Sequence, residues 1–382
     1  MKNALSICIY IFLFSISALA QQKDIAGLDR DTITNYSTYK RSIGFAGLLQ
    51  TRALASLSKD VDVNGKNFDA SSPSKITNTF LLKRARLQVK GTVNDHFSAN
   101  LMVNFAEFNA NPINKVLENA YIKYSLGRHF NLQAGQFRPF FGIEDALPVD
   151  IIRTLDYSNQ YYAFGASGWQ SFQVGVSVFG DLTKEDNLPV RYYAGIYNGN
   201  NRNQLTDNDN SKNVYGRLET SPTKDITIGI NAASGSFGAG TGSAWGSDLL
   251  GRIILAEKWK LLLGGEYKTG TNFVLFNTYT TKPELSMVKM RGFYIFPILR
   301  YEYKRPRVRA IEFSTRYEYF DENYKLDSNP RQTIIPNLTF IFADDFYAAL
   351  QGGVSIDLYK TDIPLTTTYA RNLGYLQLQI RF

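Results

Sequence analysis

The run Arg84-Ala85-Arg86-Leu87-Gln88-Val89-Lys90 changes sides at every residue, with Ala85, Leu87 and Val89 on one face and Arg84, Arg86, Gln88 and Lys90 on the other. A period of two belongs to a β-strand whose faces meet different media. The pattern recurs. Phe97, Ala99, Leu101, Val103 and Phe105 oppose Ser98, Asn100 and Asn104, and Phe172, Val174, Val176 and Val178 oppose Gln173 and Ser177. Ile311, Phe313, Tyr317 and Tyr319 oppose Glu312, Ser314, Arg316 and Glu318. About sixteen such segments are expected, near 41–52, 77–91, 95–108, 117–126, 129–138, 169–180, 190–199, 212–220, 225–234, 247–257, 259–270, 290–303, 307–319, 332–342, 346–357 and 370–382. Their connections alternate between long (53–76, 109–116) and short (Asn94-Asp95, Gly127-Arg128, Ser221-Pro222, Lys304-Arg305-Pro306, Ala343-Asp344-Asp345). An even number of strands with turns at one end and loops at the other predicts an all-β fold, a transmembrane antiparallel β-barrel. In lipid every backbone group needs a partner, and only a closed ladder of strands supplies one without helices.

The amino terminus agrees with export. Met1–Ala20 carries Lys2, an apolar run over 7–19 and Ala18-Leu19-Ala20, the pattern of a signal peptide cleaved before Gln21. The expected organisation is a signal peptide at 1–20, a periplasmic N-terminal segment at 21–40 and a barrel at 41–382. Cys8 is the one cysteine and falls in the leader, so neither a disulfide framework nor a cysteine-linked lipid anchor is expected. Aromatic residues make up 14% of the chain, and Tyr124, Tyr301, Tyr303, Tyr317 and Tyr319 near strand ends suit the interfacial girdles of a barrel in the outer membrane of a Gram-negative cell. The formal charge of +8, in an exported chain without a nucleic-acid motif, points to an anion-attracting lumen and not to nucleic acid.

One interval keeps neither period. Pro139–Gly168 holds Glu144, Asp145, Asp150, Asp156 and a single base, Arg153, for a formal −3. A loop of that length inside a compact fold is usually functional, and inside a barrel it would narrow the lumen as a constriction loop. Catalytic chemistry is not expected, because His96 and His129 both sit beside short turns. Gly235–Gly246 reads as a flexible surface loop, lacking the Lys-Ser/Thr ending of a phosphate loop, and Asp207-Asn208-Asp209-Asn210 lacks the Gly and Glu that complete a calcium loop. No cofactor or metal is expected.

Leu82-Lys83-Arg84-Ala85-Arg86-Leu87, Glu118-Asn119-Ala120-Tyr121-Ile122 and Gly135-Gln136-Phe137-Arg138-Pro139-Phe140-Phe141-Gly142-Ile143-Glu144 resemble, in order, segments of the phosphate-selective porin O and P family. Gly168-Trp169-Gln170-Ser171-Phe172-Gln173-Val174-Gly175 stands where that family returns from its constriction loop. The resemblance implies a sixteen-stranded homotrimeric porin whose third long loop folds into the lumen and whose basic residues guide anions. It implies passive diffusion of small polar solutes, anions such as phosphate among them. The anion-guiding candidates are Arg84, Arg86, Lys90, Lys123, Arg138 and Arg153, opposed by the constriction-loop acids Glu144, Asp145, Asp150 and Asp156. Phosphate-specific members line the constriction with several bases, whereas this loop is acidic and carries Trp169-Gln170 in place of a charged pair. The alternating Leu376, Leu378, Ile380 and terminal Phe382 resemble the signal that outer-membrane barrels present to the barrel-assembly machinery. The competing reading is an adhesin or binding barrel with a plugged lumen.

Overall fold

A computed structural model describes residues 41–63, 76–109, 116–146, 153–183, 188–201, 203–204, 206–207, 210–237, 239–343, 347–359 and 372–382. Residues 1–20, expected to be a leader, and 21–40, expected to be periplasmic, lie outside the described residues. Sixteen antiparallel strands form one closed barrel in sequence order. They are β1 (Ser42–Ser56), β2 (Asn78–Thr92), β3 (Phe97–Asn104), β4 (Leu117–Ser125), β5 (Asn131–Phe137), β6 (Gln173–Asp181), β7 (Val190–Tyr197) and β8 (Asn213–Thr223). The second half is β9 (Ile226–Ser236), β10 (Thr241–Ala256), β11 (Trp259–Thr271), β12 (Lys289–Glu302), β13 (Ala310–Asp321), β14 (Arg331–Ile341), β15 (Ala348–Tyr359) and β16 (Leu373–Arg381). Among the described residues, three short α-helices lie between strands: α1 (Ile143–Ala146), α2 (Asn159–Ala166) and α3 (Phe273–Thr278).

The barrel closes where β1 meets β16, in an unbroken register from Leu48↔Arg381 to Ser56↔Leu373. Beyond the last strand pair, Gly47 N donates to Phe382 O at 2.6 Å and Phe382 N donates back to Gly47 O at 3.1 Å. A Cβ at Gly47 would stand 2.2 Å from the Phe382 ring, so the terminal side chain in this position packs directly over the glycine.

Side chains sort opposite to those of a water-soluble protein. Ile295, Phe313, Ile230 and Leu376 are exposed on the outer face, while Glu312, Arg316, Glu318, Gln351 and Gln377 are buried on the inner one. An apolar exterior around a polar interior is stable where the surrounding medium is hydrocarbon. β13 follows the expected alternation residue by residue.

Several local features depart from simple alternation, and three of them bear on the β5–β6 connection. In β2 the register with β1 skips a residue, pairing Gln50 with Arg84 and Thr51 with Leu82. The extra residue, Lys83, leaves two consecutive cations on the inner side, the consequence of a β-bulge. A second shift in β3 and β4 pairs Met102 with Asn119 and Val103 with Leu117, which turns Glu118 inward. Phe172 is not on the face of Val174 and Val176: β6 begins only at Gln173, and Phe172 is buried with its ring 4.6 Å from the Arg138 guanidinium.

Gly235–Gly246 is mainly a hairpin, with β9 running to Ser236 and β10 starting at Thr241, which corrects the expectation of a loop. Its small residues answer to packing. A Cβ at Gly242 would fall 2.6 Å from Thr271 Oγ1 and 2.7 Å from the Phe273 ring, and one at Gly246 2.8 Å from Lys268 Cγ. Low strand propensity is tolerated here because bulky neighbours occupy the space.

The outer face generates the first prediction. Ile295 sits at the middle of β12 and is 53% exposed. Ile295→Arg should cost about 2–4 kcal/mol of unfolding free energy in lipid vesicles, measured by denaturant titration, while Ile295→Leu leaves the midpoint in place. An unchanged midpoint for the arginine variant would mean that this face does not meet hydrocarbon.

Candidate functional site

The connection between β5 and β6 is bonded to strands far from its own. Its centre is Asp156. Arg52 Nη1 of β1 donates to Asp156 Oδ2 at 2.7 Å, Arg84 Nη2 of β2 donates to Oδ1 at 3.0 Å, and Lys83 Nζ lies 3.5 Å from Oδ2. Burial alone would raise this carboxyl, but the three cations overcome it and hold Asp156 well below the usual carboxylate range. The arginines are themselves fixed. Arg52 Nε donates to Gln377 Oε1 at 3.0 Å, and Arg84 Nη1 donates to Gln50 Oε1 at 2.7 Å. Gln50 donates to Gln379 at 2.5 Å and Gln377 to Gln351 at 2.8 Å, so two amide pairs, one between β1 and β16 and one between β16 and β15, orient the cations.

On the other side, β13 and β14 hold the same segment. Arg316 donates to Thr154 Oγ1 at 2.8 Å and to the Asp156 carbonyl, and its Nε donates to Glu318 Oε1 at 2.7 Å. Glu318 Oε2 accepts from Asn159 N at 2.6 Å, at the start of α2. Asn159 Nδ2 reaches Thr333 Oγ1 at 2.8 Å. Arg153 Nη1 bonds Glu312 Oε1 at 2.7 Å, and its carbonyl accepts from Asn337 at 3.2 Å.

The remaining loop acids are less exposed to solvent than the sequence suggests. Glu144 accepts from Ser158 N at 2.6 Å and from Ser158 Oγ at 2.5 Å. Burial and then the neighbouring Glu266 push the Glu144 carboxyl up to about 8. Asp145 accepts from Gln170 Nε2 at 2.7 Å, and burial raises it too. Asp150 lies outside the described residues.

The predicted basic residues divide. Arg84 joins the Asp156 cluster, whereas Arg86 pairs with Glu118 at 2.8 Å. Lys123 lies 5.1 Å from the Phe179 ring centre, and Lys90 is exposed near the strand end. Arg138 is half-buried beside the rings of Tyr157 and Phe172, at 5.0 and 4.6 Å, with Nη1 donating to the Glu144 carbonyl at 3.1 Å. Arg52, Lys83 and Arg316 were not among the sequence candidates, although alternation in Gln50-Thr51-Arg52 and in β13 gave the signal for two of them. Lys83 carried no such signal, since a bulge depends on the partner strand.

Cavities lie on both sides of Thr154–Asp156. One of about 770 Å³, at the end with the longer connections, is lined by the cations Arg52, Lys83, Arg316 and Arg331 and by the acids Asp156, Glu318, Asp321, Glu322, Asp327 and Asp357. Towards the short turns lie two more, of about 510 Å³ beside Glu144, Arg153 and Thr154, and about 570 Å³ beside Arg86, Lys90 and Arg138. The wall of β5 and β7–β12 is instead packed with rings: Phe137, Phe141, Phe164, Trp169, Tyr197, Tyr215 and Phe273 form one buried cluster. Trp169 Nε1 donates to the Thr271 carbonyl at 2.8 Å, and its ring lies 5.4 Å from Phe273. The two histidines bond backbone carbonyls at exposed turns, His96 to Ser125 and His129 to Asp181, each at 2.7 Å.

Comparison with known proteins agrees with this architecture. Residues 59–234 match the family described as Phosphate-selective porin O and P. Among solved structures the fold is similar to an anion-selective porin from Comamonas acidovorans, at 12% identity and a TM-score of 0.56 over 90% of this chain and 99% of that one. It is similar to the outer-membrane channel DcaP of Acinetobacter baumannii, at 12% identity and a TM-score of 0.54 over 94% and 100%. It is also similar to OmpT of Vibrio cholerae in its trimer form, at 13% identity and a TM-score of 0.54 over 90% and 99%. No curated protein matches in sequence.

Glu144 yields a prediction with a definite sign. Its folded-state carboxyl is raised above the ordinary 4.5 to about 8, so the docking it supports is fullest below 4.5 and is lost as pH rises through 8. Current fluctuation through single channels should increase between pH 7 and 9 and stay flat in Glu144→Gln. Equal fluctuation in both proteins would remove Glu144 from the account.

Proposed function

We propose that the chain, which belongs to the phosphate-selective porin O and P family, is an outer-membrane porin whose water-filled lumen passes small polar solutes by passive diffusion and favours anions. The observation that carries this reading is the cation group Arg52, Lys83 and Arg84 on the polar inner face, gathered around a single carboxylate of the β5–β6 connection. Three positive charges against one leave a local excess at the point where the loop meets the wall. In a lumen walled by low-dielectric material, fixed charge at a narrow point acts on a passing ion with little screening. The β5–β6 connection is then the constriction, and phosphate is among the anions that suit its guanidinium groups.

The formal −3 of the loop overstates what a solute meets. Asp156 is neutralised by its neighbours, Glu144 is largely protonated at pH 7, and Asp145 is buried against Gln170. Anion preference survives an acidic loop because most of that acidity is screened or uncharged. A homotrimer, insertion by the barrel-assembly machinery through Phe382, and a cleaved leader complete the proposal.

The aromatic cluster supports a second reading, a barrel with a filled lumen that serves adhesion or binding. Planar-bilayer recording separates the two, since a filled lumen gives no conductance steps. Within the porin reading, Asp156→Asn should move the reversal potential in a salt gradient further towards anions, and Glu144→Gln with Asp145→Asn should move it much less at pH 7. Asp207→Asn on an outer loop is the control. An equal shift from Asp207→Asn and Asp156→Asn would place the selective point elsewhere.

A further inference from the structure

The turn between β12 and β13 reads Tyr303-Lys304-Arg305-Pro306-Arg307-Val308-Arg309, four cations and no acid, and enters neither the barrel interior nor the site above. It is ordered by its own backbone. Lys304 N donates to Arg309 O at 2.8 Å and Arg305 N to Val308 O at 3.0 Å, while Lys304 adopts a φ of 51° and Pro306 fixes the corner. A preorganised turn holds its cations in place with less conformational loss on binding.

The rings beside it indicate the medium it faces. Trp259 of β11 pairs in register with Tyr301 of β12, their ring centres 4.8 Å apart, and both belong to the outward face. Tyr303, two residues on, is 45% exposed on that same face. The Arg305 guanidinium lies 5.8 Å from the Tyr303 ring centre, which puts this cation on the lipid side of the rim and not over the lumen. Trp and Tyr bands mark the level where hydrocarbon gives way to headgroups. The adjacent acid is engaged elsewhere, since Glu302 takes Lys260 and Arg300, each at 2.9 Å. In the neighbouring turn Glu257 and Lys258 offset each other in charge.

We infer that the β12–β13 turn is a binding site for the phosphodiester headgroup of an anionic phospholipid in the periplasmic leaflet, with Arg305 and Arg307 as the phosphate ligands and Trp259, Tyr301 and Tyr303 beneath the glycerol. The inference rests on the outer-membrane reading, which puts the short turns in the periplasm. A guanidinium presents paired donors to a phosphate, and a ring under it keeps it at headgroup depth.

The test uses the full barrel in phosphatidylcholine vesicles doped with brominated-chain phosphatidylglycerol, in a Trp245→Phe background. Trp169 is buried, so quenching then reports on lipid beside Trp259. Brominated phosphatidylglycerol should quench at far lower mole fraction than brominated phosphatidylcholine. Each cation near an anionic surface is worth about fivefold, so Arg305→Gln with Arg307→Gln should lower the preference on the order of 25-fold. Arg305→Lys with Arg307→Lys should keep most of it and still answers the question if the glutamine variant inserts poorly. Equal quenching by the two lipids, or an undiminished preference in an inserted glutamine variant, overturns the site. Relief of the preference by excess soluble glycerol phosphate also overturns it, because the anion recognised would then be a free one. Conductance of the same vesicles judges the porin reading separately, since a conducting barrel without lipid preference refutes only the turn.

Discussion

Closure of the ladder between β1 and β16 is the constraint on which everything else here depends. Until those strands pair, each presents a row of unpaired amides and carbonyls that hydrocarbon cannot solvate. Once they pair, side-chain position follows from parity wherever the register is unbroken: even and odd residues go to opposite faces of the sheet. Gln50 then meets Gln379 across the seam and Arg52 meets Gln377 across it, while Gln50 also holds Arg84. The closing seam and the cation group at Asp156 are therefore the same piece of structure.

The charges on that inner face are arranged in a graded way. Burying a lone guanidinium is costly, and each of Arg52, Arg84 and Arg316 has both a carboxylate partner and a polar neighbour. Asp156 is the member shared between β1 and β2, while Glu318 ties Arg316 to the first turn of α2. Removing one partner leaves the others charged and without compensation, so effects there should not add.

The strands were legible because period two is dictated by backbone geometry and needs no knowledge of neighbours. β13 and the segment Arg84–Lys90 read directly, and all sixteen segments have a counterpart in the barrel. What could not be read depends on contacts between distant residues. The extra residue Lys83 is defined only relative to β1, and the inward turn of Glu118 only relative to β3. Phe172 looked like a strand residue because it continues the alternation, but stacking against Arg138 takes it out of the sheet. Gly235–Gly246 looked like a loop because small residues are poor strand formers, and the Thr271, Phe273 and Lys268 side chains that require them lie on other segments.

The same limit applies to charge. A sum over Pro139–Gly168 treats four carboxylates as equivalent, yet Glu144 and Asp156 depart from the ordinary range in opposite directions. The difference lies in what surrounds each one: a serine and another carboxylate near Glu144, three cations around Asp156. A solute in the lumen responds to the potential of ionised and uncompensated groups, not to the count of acidic letters. At the contact between the loop and β1–β2, Arg52, Lys83 and Arg84 surround the one carboxylate of Asp156, and the third cation is there because a bulge places Lys83 on the same side of the sheet as Arg84.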